Sequence, residues 1–387
     1  MQVASPFLYQ WVDDFSGTAS GNVLLKGSLE KPDLKGDIRL ESVGFRIIYL
    51  NTKYKLTANT FVDNYFIDLR DASLLDEFNN EALVYGGLYH KNLKEFGVDL
   101  SVWPDHFMGL NTRRGMNSLF YGKAFVTGSV DISGLLEDVI LDINLEANKG
   151  SEMVIPINLT ADISDNEFIT FVNNADTLLE KFEVRTVAEP SSFSLNMDLS
   201  LSPDARVEII LPEDLGNIRA QGYGDLNMNL NTAGNFTMAG DYRVSKGSFL
   251  FTVKNVYKKR FDLVEGGTIS WTGDPYAGEM DMKAIYHVKT SLSTLGTIQD
   301  TTSNFRSRVP VDCVIGLKDQ ILNPTVKFGF NFPNSPEQVR QSVFSLIDTT
   351  NEAEMSQQML SLLVLNSFSF ASLDGNEDFA SSVGGSS

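Results

Sequence analysis

Residues 191–202, SSFSLNMDLSLS, place an apolar side chain at every second position: Phe193, Leu195, Met197, Leu199 and Leu201 alternate with Ser194, Asn196, Asp198 and Ser200. Successive side chains of a strand point to opposite faces, so a period of two predicts a strand with one apolar face and one wet face. The same period returns in GNVLLKGSLE, DVILDINLEA, GDLNMNLNT, NFTMAGDYRV, GSFLFTV, EMDMKAIYHV, VPVDCVIGLK and TVKFGFNF, mostly separated by Gly, Pro, Asn, Asp and Ser. Antiparallel strands with one solvated face produce such alternation, whereas parallel sheets covered by helices produce unbroken apolar runs. An all-β chain built on an antiparallel sheet is the expectation.

The period changes near the carboxyl end. After FPNSPEQ, Val339, Val343, Phe344 and Ile347, then Met355, Met359, Leu362 and Leu363, recur at helical spacing, which predicts one or two amphipathic helices between Ser335 and about Ser369. The stretch DISDNEFITFVNNADTLLEKFEVRTVAEP breaks the alternation and reads as a long loop with a short helix. LDGNEDFASSVGGSS reads as a disordered tail. The organisation expected is a first part of the sheet over 1–150, an irregular interruption over 151–190, a second part over 191–333, helices over 334–370 and the tail over 371–387. Gly27–Leu40, Ser133–Leu145 and Gly316–Phe330 each read as strand, tight turn, strand. Repeated hairpins extend a sheet without needing one ever-larger core, which favours a single elongated body.

Composition narrows the function. Among 387 residues, 42% are apolar and 26 are Phe, enough for a large core. Lys and Arg number 31 against 50 Asp and Glu, a formal charge of −19, which excludes nucleic acid as a partner and argues against simple electrostatic adhesion to anionic lipid. Membrane contact would have to be hydrophobic. The start, MQVASPFLYQWVDDF, has neither a signal-peptide pattern nor a membrane-spanning run, so the expectation is a cytoplasmic chain or a piece of a longer one. Cys313, the single cysteine, falls on an apolar position and reads as a small core residue.

Catalytic signals are poor. His90, His106 and His287 are far apart, and none has a second ligand at metal-binding spacing; His287 falls on a polar position and reads as a surface histidine. Nucleophile elbow, P-loop and dinucleotide fingerprint are all missing, the GYG at 222–224 reads as a turn or bulge, and Asp274 in TGDPYAGE reads as a turn residue. An enzyme is the least supported class; no cofactor, metal site or catalytic residue is expected.

Three covers for the apolar faces compete: a second sheet, making a β-sandwich scaffold or adhesin-like binding module; lipid around a membrane barrel; or acyl chains held in a curved sheet's apolar trough. Charges spread through most strands and the helical carboxyl end speak against the barrel. Periodicity alone does not separate the other two.

The run from Tyr242 to Leu295 resembles the carboxyl-terminal domain of the translocation and assembly module subunit TamB, in the AsmA-like group. The resemblance is carried by Gly247, Phe249 and Phe251, by FDLVEGG (261–267) and by WTGDPY (271–276). RVPVDCVIGLKDQILNPTVKFGFNFPNSPEQVR with LSLLVLNSF is similar too, as are GSLEKPDLKGDIRL, LFYGKAFVTGSVDISG and DNEFITFV. The resemblance implies a taco-shaped β-sheet with an apolar interior in the periplasm, between the inner and outer membranes of a Gram-negative bacterium. It further implies an inner-membrane anchor that this sequence lacks, an outer-membrane barrel partner of the TamA or BamA type, and roles in phospholipid transport and outer-membrane protein assembly.

Parity then supplies groove candidates: Phe193, Leu195, Met197 and Leu199; Leu226, Met228 and Leu230; Phe249 and Phe251; Met280 and Met282; Val326, Phe328 and Phe330. Each would otherwise be dry core. A ~16-carbon acyl chain crossing water faces a barrier of roughly 13 kcal/mol at about 0.8 kcal/mol per methylene, which a continuous groove removes. About 18 strands at ~4.8 Å would make the groove about 85 Å long. In the last helix, Met359, Leu362, Leu363 and Leu365 either cap the sheet or dock on the barrel partner.

Overall fold

A computed structural model of the chain describes residues 12–28, 31–91, 94–116, 120–157, 192–212, 215–253, 257–292 and 308–369. The readings placed on the amino-terminal residues 1–11, on 158–190 within the irregular interruption and on the tail 371–387 lie outside the described residues.

Among the described residues, twenty strands form one sheet. β1 (Val12–Asp13) and β2 (Thr18–Ser28) lie end to end along β3 (Lys31–Ile47). A meander follows through β4 (Thr52–Val62), β5 (Phe66–Leu75), β6 (Glu81–Lys91) and β7 (Lys94–Pro104). β7 and β8 (Phe107–Thr112) share one edge of β9 (Tyr121–Leu135), and β10 (Asp138–Ala147) and β11 (Glu152–Pro156) share the other. Next come β12 (Ser192–Leu201) with β13 (Arg206–Ile210), then β14 (Gly216–Asn231) and β15 (Phe236–Val253). β16 (Tyr257–Leu263) with β17 (Thr268–Gly273), β18 (Glu279–Ser291), β19 (Arg308–Gln320) and β20 (Thr325–Asn331) complete the ladder.

Five positions in the ladder hold two strands end to end, so twenty strands less five leave fifteen rungs. At ~4.8 Å per step the ladder runs about 67 Å, shorter than the ~85 Å expected of eighteen separate strands. Turns such as Asn148 to Ser151 and Ser202 to Ala205 cut one rung into two strands without adding length.

The sheet is mixed. β12 and β13 run parallel to β10 and β11, in register from Asp138 opposite Ser192 to Ala147 opposite Leu201. Alternation persists through this joint because one face stays in water; unbroken apolar runs arise only where helices cover both faces. On the wet face, Asn196 donates to Asp142 at 2.7 Å, Asn227 to Asp198 at 2.8 Å and Ser200 to Asp225 at 2.8 Å. Slipping one residue would turn the apolar set outward and break these bonds, so both faces specify the same register.

The other face is apolar along the ladder, and it curls on itself at two places. Tyr54 on β4 stacks on Phe107 of β8 with ring centroids 5.0 Å apart, although the two are three rungs, or ~14 Å, apart along a flat sheet. Phe251 on β15 lies 6.0 Å from Phe328 on β20, four rungs or ~19 Å apart if flat. Each curl encloses a core. Tyr54, Ala58, Ala72, Leu74, Ala82, Val84 and Phe107 form the amino-terminal one. The larger carboxyl-terminal core is centred on Phe249, Phe251, Phe261, Ile269, Ile315 and Leu317.

Helices α1 (Glu337–Leu346) and α2 (Glu352–Leu365) end the described chain. Asn351 caps α2 by accepting from the backbone N–H of Ala353 and Glu354, and Glu352 and Glu354 favour the positive end of the helix dipole. Met355, Met359, Leu362 and Leu363 form its buried stripe and join the carboxyl-terminal core.

Candidate functional site

Between the two closed cores the apolar face is covered by neither. Leu141, Ile143 and Leu145 on β10, Leu195, Met197 and Leu199 on β12, and Met228 and Leu230 on β14 are half-buried and belong to neither core. Register aligns them into rows: Ile143, Met197 and Met228 stand opposite one another across three strands, with Met238, which packs against the carboxyl-terminal core, next in line, and Leu141, Leu195, Leu230 and Phe236 form the next row. Five residues along β10 and β12 and four strands across give a strip of roughly 13 by 14 Å. The methionine row adds side chains without branching, able to repack against occupants of varied shape.

At both sides the strip runs into a core. At one side Val130 of β9 faces Val102 of β7, which packs on the amino-terminal core. At the other stand Leu226, Tyr242 and Trp271 of the carboxyl-terminal core. A bulge between Gln221 and Gly222 lets the ring of Tyr242 lie flat over Gly222 and Gly224; a Cβ at Gly222 would meet the Tyr242 ring at 3.1 Å and the Arg243 carbonyl at 2.1 Å. GYG is thus a bulge that seats an aromatic ring. Among the described residues the Tyr242 hydroxyl is buried without a hydrogen-bond partner, and burial pushes its pKa up. Trp271 is held by donating its indole N–H to the Pro275 carbonyl at 3.0 Å, and Asp274 accepts from the Tyr276 N–H at 2.9 Å, so WTGDPY is a capped turn.

The sequence candidates divide between these environments. Phe193, Leu195, Met197, Leu199, Met228 and Leu230 lie in the half-buried strip, with Leu226 at its closed margin. Phe249, Phe251, Met280, Met282 and Phe330 are fully buried in the carboxyl-terminal core, and Val326 and Phe328 pack against it. Met359, Leu362 and Leu363 are buried in that core as well, while Leu365 is 68% exposed. Leu141, Ile143, Leu145 and Met238 were missed, although DVILDINLEA and NFTMAGDYRV carry the same alternation; nothing local says which strands will be neighbours. Phe368 and Gln358 were missed too. Phe368 packs on Phe330 and Phe332, and Gln358 exchanges two hydrogen bonds with the backbone of Ser369, folding the chain back over α2.

His287 lies on the wet face against Asp312 at 2.6 Å, and Cys313 is buried, its thiol pushed up to about 12 by that burial and by the nearby Asp312 carboxylate. Among the described residues no group of three or more His, Cys, Asp or Glu is placed to hold a metal ion, and no helix is long and apolar enough to cross a membrane. The strip offers apolar contact and shape, which is the chemistry of holding a hydrocarbon chain.

Compared with known proteins, residues 70–387 match the family model described as the TamB C-terminal domain, a span that takes in the strip and the whole carboxyl-terminal core. No curated protein matches the chain.

Proposed function

The chain belongs to the TamB C-terminal domain family, and on that premise we propose that it holds lipid acyl chains against its half-buried strip. Membership makes it a TamB-like component of the translocation and assembly module of the Gram-negative envelope. The finer reading is a periplasmic segment that passes phospholipid between the inner and outer membranes and supports outer-membrane protein assembly beside a barrel partner of the TamA or BamA type. One observation carries it: an ordered, in-register apolar face, flanked at both sides by closed cores, is itself left half-covered. A row of four to five buried methylenes returns roughly 3–4 kcal/mol, so the strip can retain a chain and still release it.

Leu365 is the part of the α2 candidate set left free for the barrel partner, because Met359, Leu362 and Leu363 hold the helix on the sheet. The test is native mass spectrometry with lipid extraction on the chain purified gently from a bacterial periplasm. Co-purifying phospholipid supports the reading; a lipid-free, monodisperse protein overturns it and leaves a scaffold role in the module.

A further inference from the structure

Although the chain is strongly acidic overall, one rim of the sheet is basic. Lys258, Lys259 and Arg260 open β16, whose first residue, Tyr257, pairs with the last residue of β15. The Lys259 ammonium lies 5.5 Å from the Tyr286 ring centre, which ties this end of β16 to the same end of β18. There Lys289 faces Pro310 and Ser291 faces Arg308. One rung further, Asp312 pairs with Asn331, and Phe332, next along, has its ring 5.6 Å from that of Phe344 on α1. Three stretches of chain and a helix therefore meet at one set of strand ends.

The rim is net positive. Among the described residues, none of the five Lys and Arg makes an ion pair; of the nearby acids, Asp312 is hydrogen-bonded to His287, Glu337 pairs with Arg340, and Asp262 lies on β16 itself, fewer acids than cations. Large apolar side chains are exposed on the same elements: Tyr257 at 48% beginning β16, and Phe344 at 41% and Leu346 at 42% on α1. Lysine and arginine beside exposed aromatic and aliphatic groups is the combination that anionic bilayer surfaces bind, cations to phosphates and apolar tips to the headgroup boundary. An acidic protein surface would use the cations but leave Phe344 and Leu346 unexplained.

We propose that this rim seats the chain on an anionic membrane surface. The site is separate from the half-buried strip and stands whether or not the strip holds lipid. It also qualifies the expectation drawn from net charge, since adhesion depends on the local field within about 10 Å rather than on the molecular total.

The experiment is co-sedimentation of the full chain with vesicles of equimolar phosphatidylcholine and phosphatidylglycerol, against vesicles of phosphatidylcholine alone. Binding is expected to the anionic vesicles only and to fade with salt. The triple variant K258E/K259E/R260E should bind roughly 100-fold more weakly, at about fivefold per cation, with an unchanged circular dichroism spectrum. A control, K26E/K35E/K123E, makes the same change in net charge on distant rungs and should retain wild-type binding. Equal loss in both variants, or no binding of the wild-type chain to anionic vesicles, overturns the proposal. So does capture by immobilised polyglutamate through Lys258, Lys259 and Arg260 without vesicle binding, which would assign the rim to an acidic protein.

Discussion

Replacing Met228 by Glu separates a half-open strip from a closed core. Met228 sits between Met197 and Met238 and is half-buried. Full burial of such a side chain is worth about 1.5–3 kcal/mol, so the lost packing at a half-covered position costs about 1 kcal/mol, and the new carboxylate can still reach water. The fold should survive. An acyl chain is affected far more, because a hydrated carboxylate in mid-strip excludes about four methylenes, a loss of roughly 3 kcal/mol or ~100-fold in occupancy. Met228→Leu keeps the apolar surface and should keep the lipid. The assay is lipid extraction and native mass spectrometry on all three proteins, with urea unfolding alongside. Wild-type lipid content in a folded Met228→Glu chain refutes the strip as the site. A Met228→Glu chain that is already unfolded without urea refutes the half-open geometry and returns Met228 to a dry core.

Three further outcomes follow from the packing. Asp76 accepts from the N–H groups of Phe78, Asn80 and Met108 and from the Asn80 amide, at 2.8–2.9 Å, so Asp76→Ala strands donors at the curl that carries Tyr54 on Phe107; about 2–4 kcal/mol should be lost, read from the urea midpoint. Phe368→Ala empties the space beside Phe330 and Phe332 and should cost about 3–5 kcal/mol while making α2 a protease target; an unchanged midpoint and digest would show that this return segment bears no weight. Burial raises the Cys313 thiol from 9.0 to about 12, so the folded state keeps its proton where the unfolded state has lost it. That contribution to stability is complete below pH 9.0 and is lost as pH rises towards about 12, and Cys313→Ser should remove this dependence. Rapid alkylation of the native thiol at about pH 8 would contradict the burial.

Strand character, the two faces and the helices were legible in the amino-acid sequence, because each is a local periodicity that neighbouring residues enforce on one another. SFSLNMDLSL announces β12 wherever it lies, and Met355, Met359, Leu362 and Leu363 announce one face of a helix. Even the turn at WTGDPY was visible, since Asp and Pro act on the next two residues. Covering is another matter. Met228 and Phe251 follow the same alternation, yet one is half-open and the other is sealed by Phe328, which is distant in the chain and four rungs away in the sheet. Only the curl brings those rings to 6.0 Å, and the curl is a property of many rungs twisting together. The parallel joint between β10 and β12 was equally invisible, because a period of two is the same whichever way the neighbouring strand runs. The sequence by itself determined that one apolar face would exist. Tertiary structure alone decided which parts of that face close into cores and which part stays open, since that depends on contacts between residues remote in the chain.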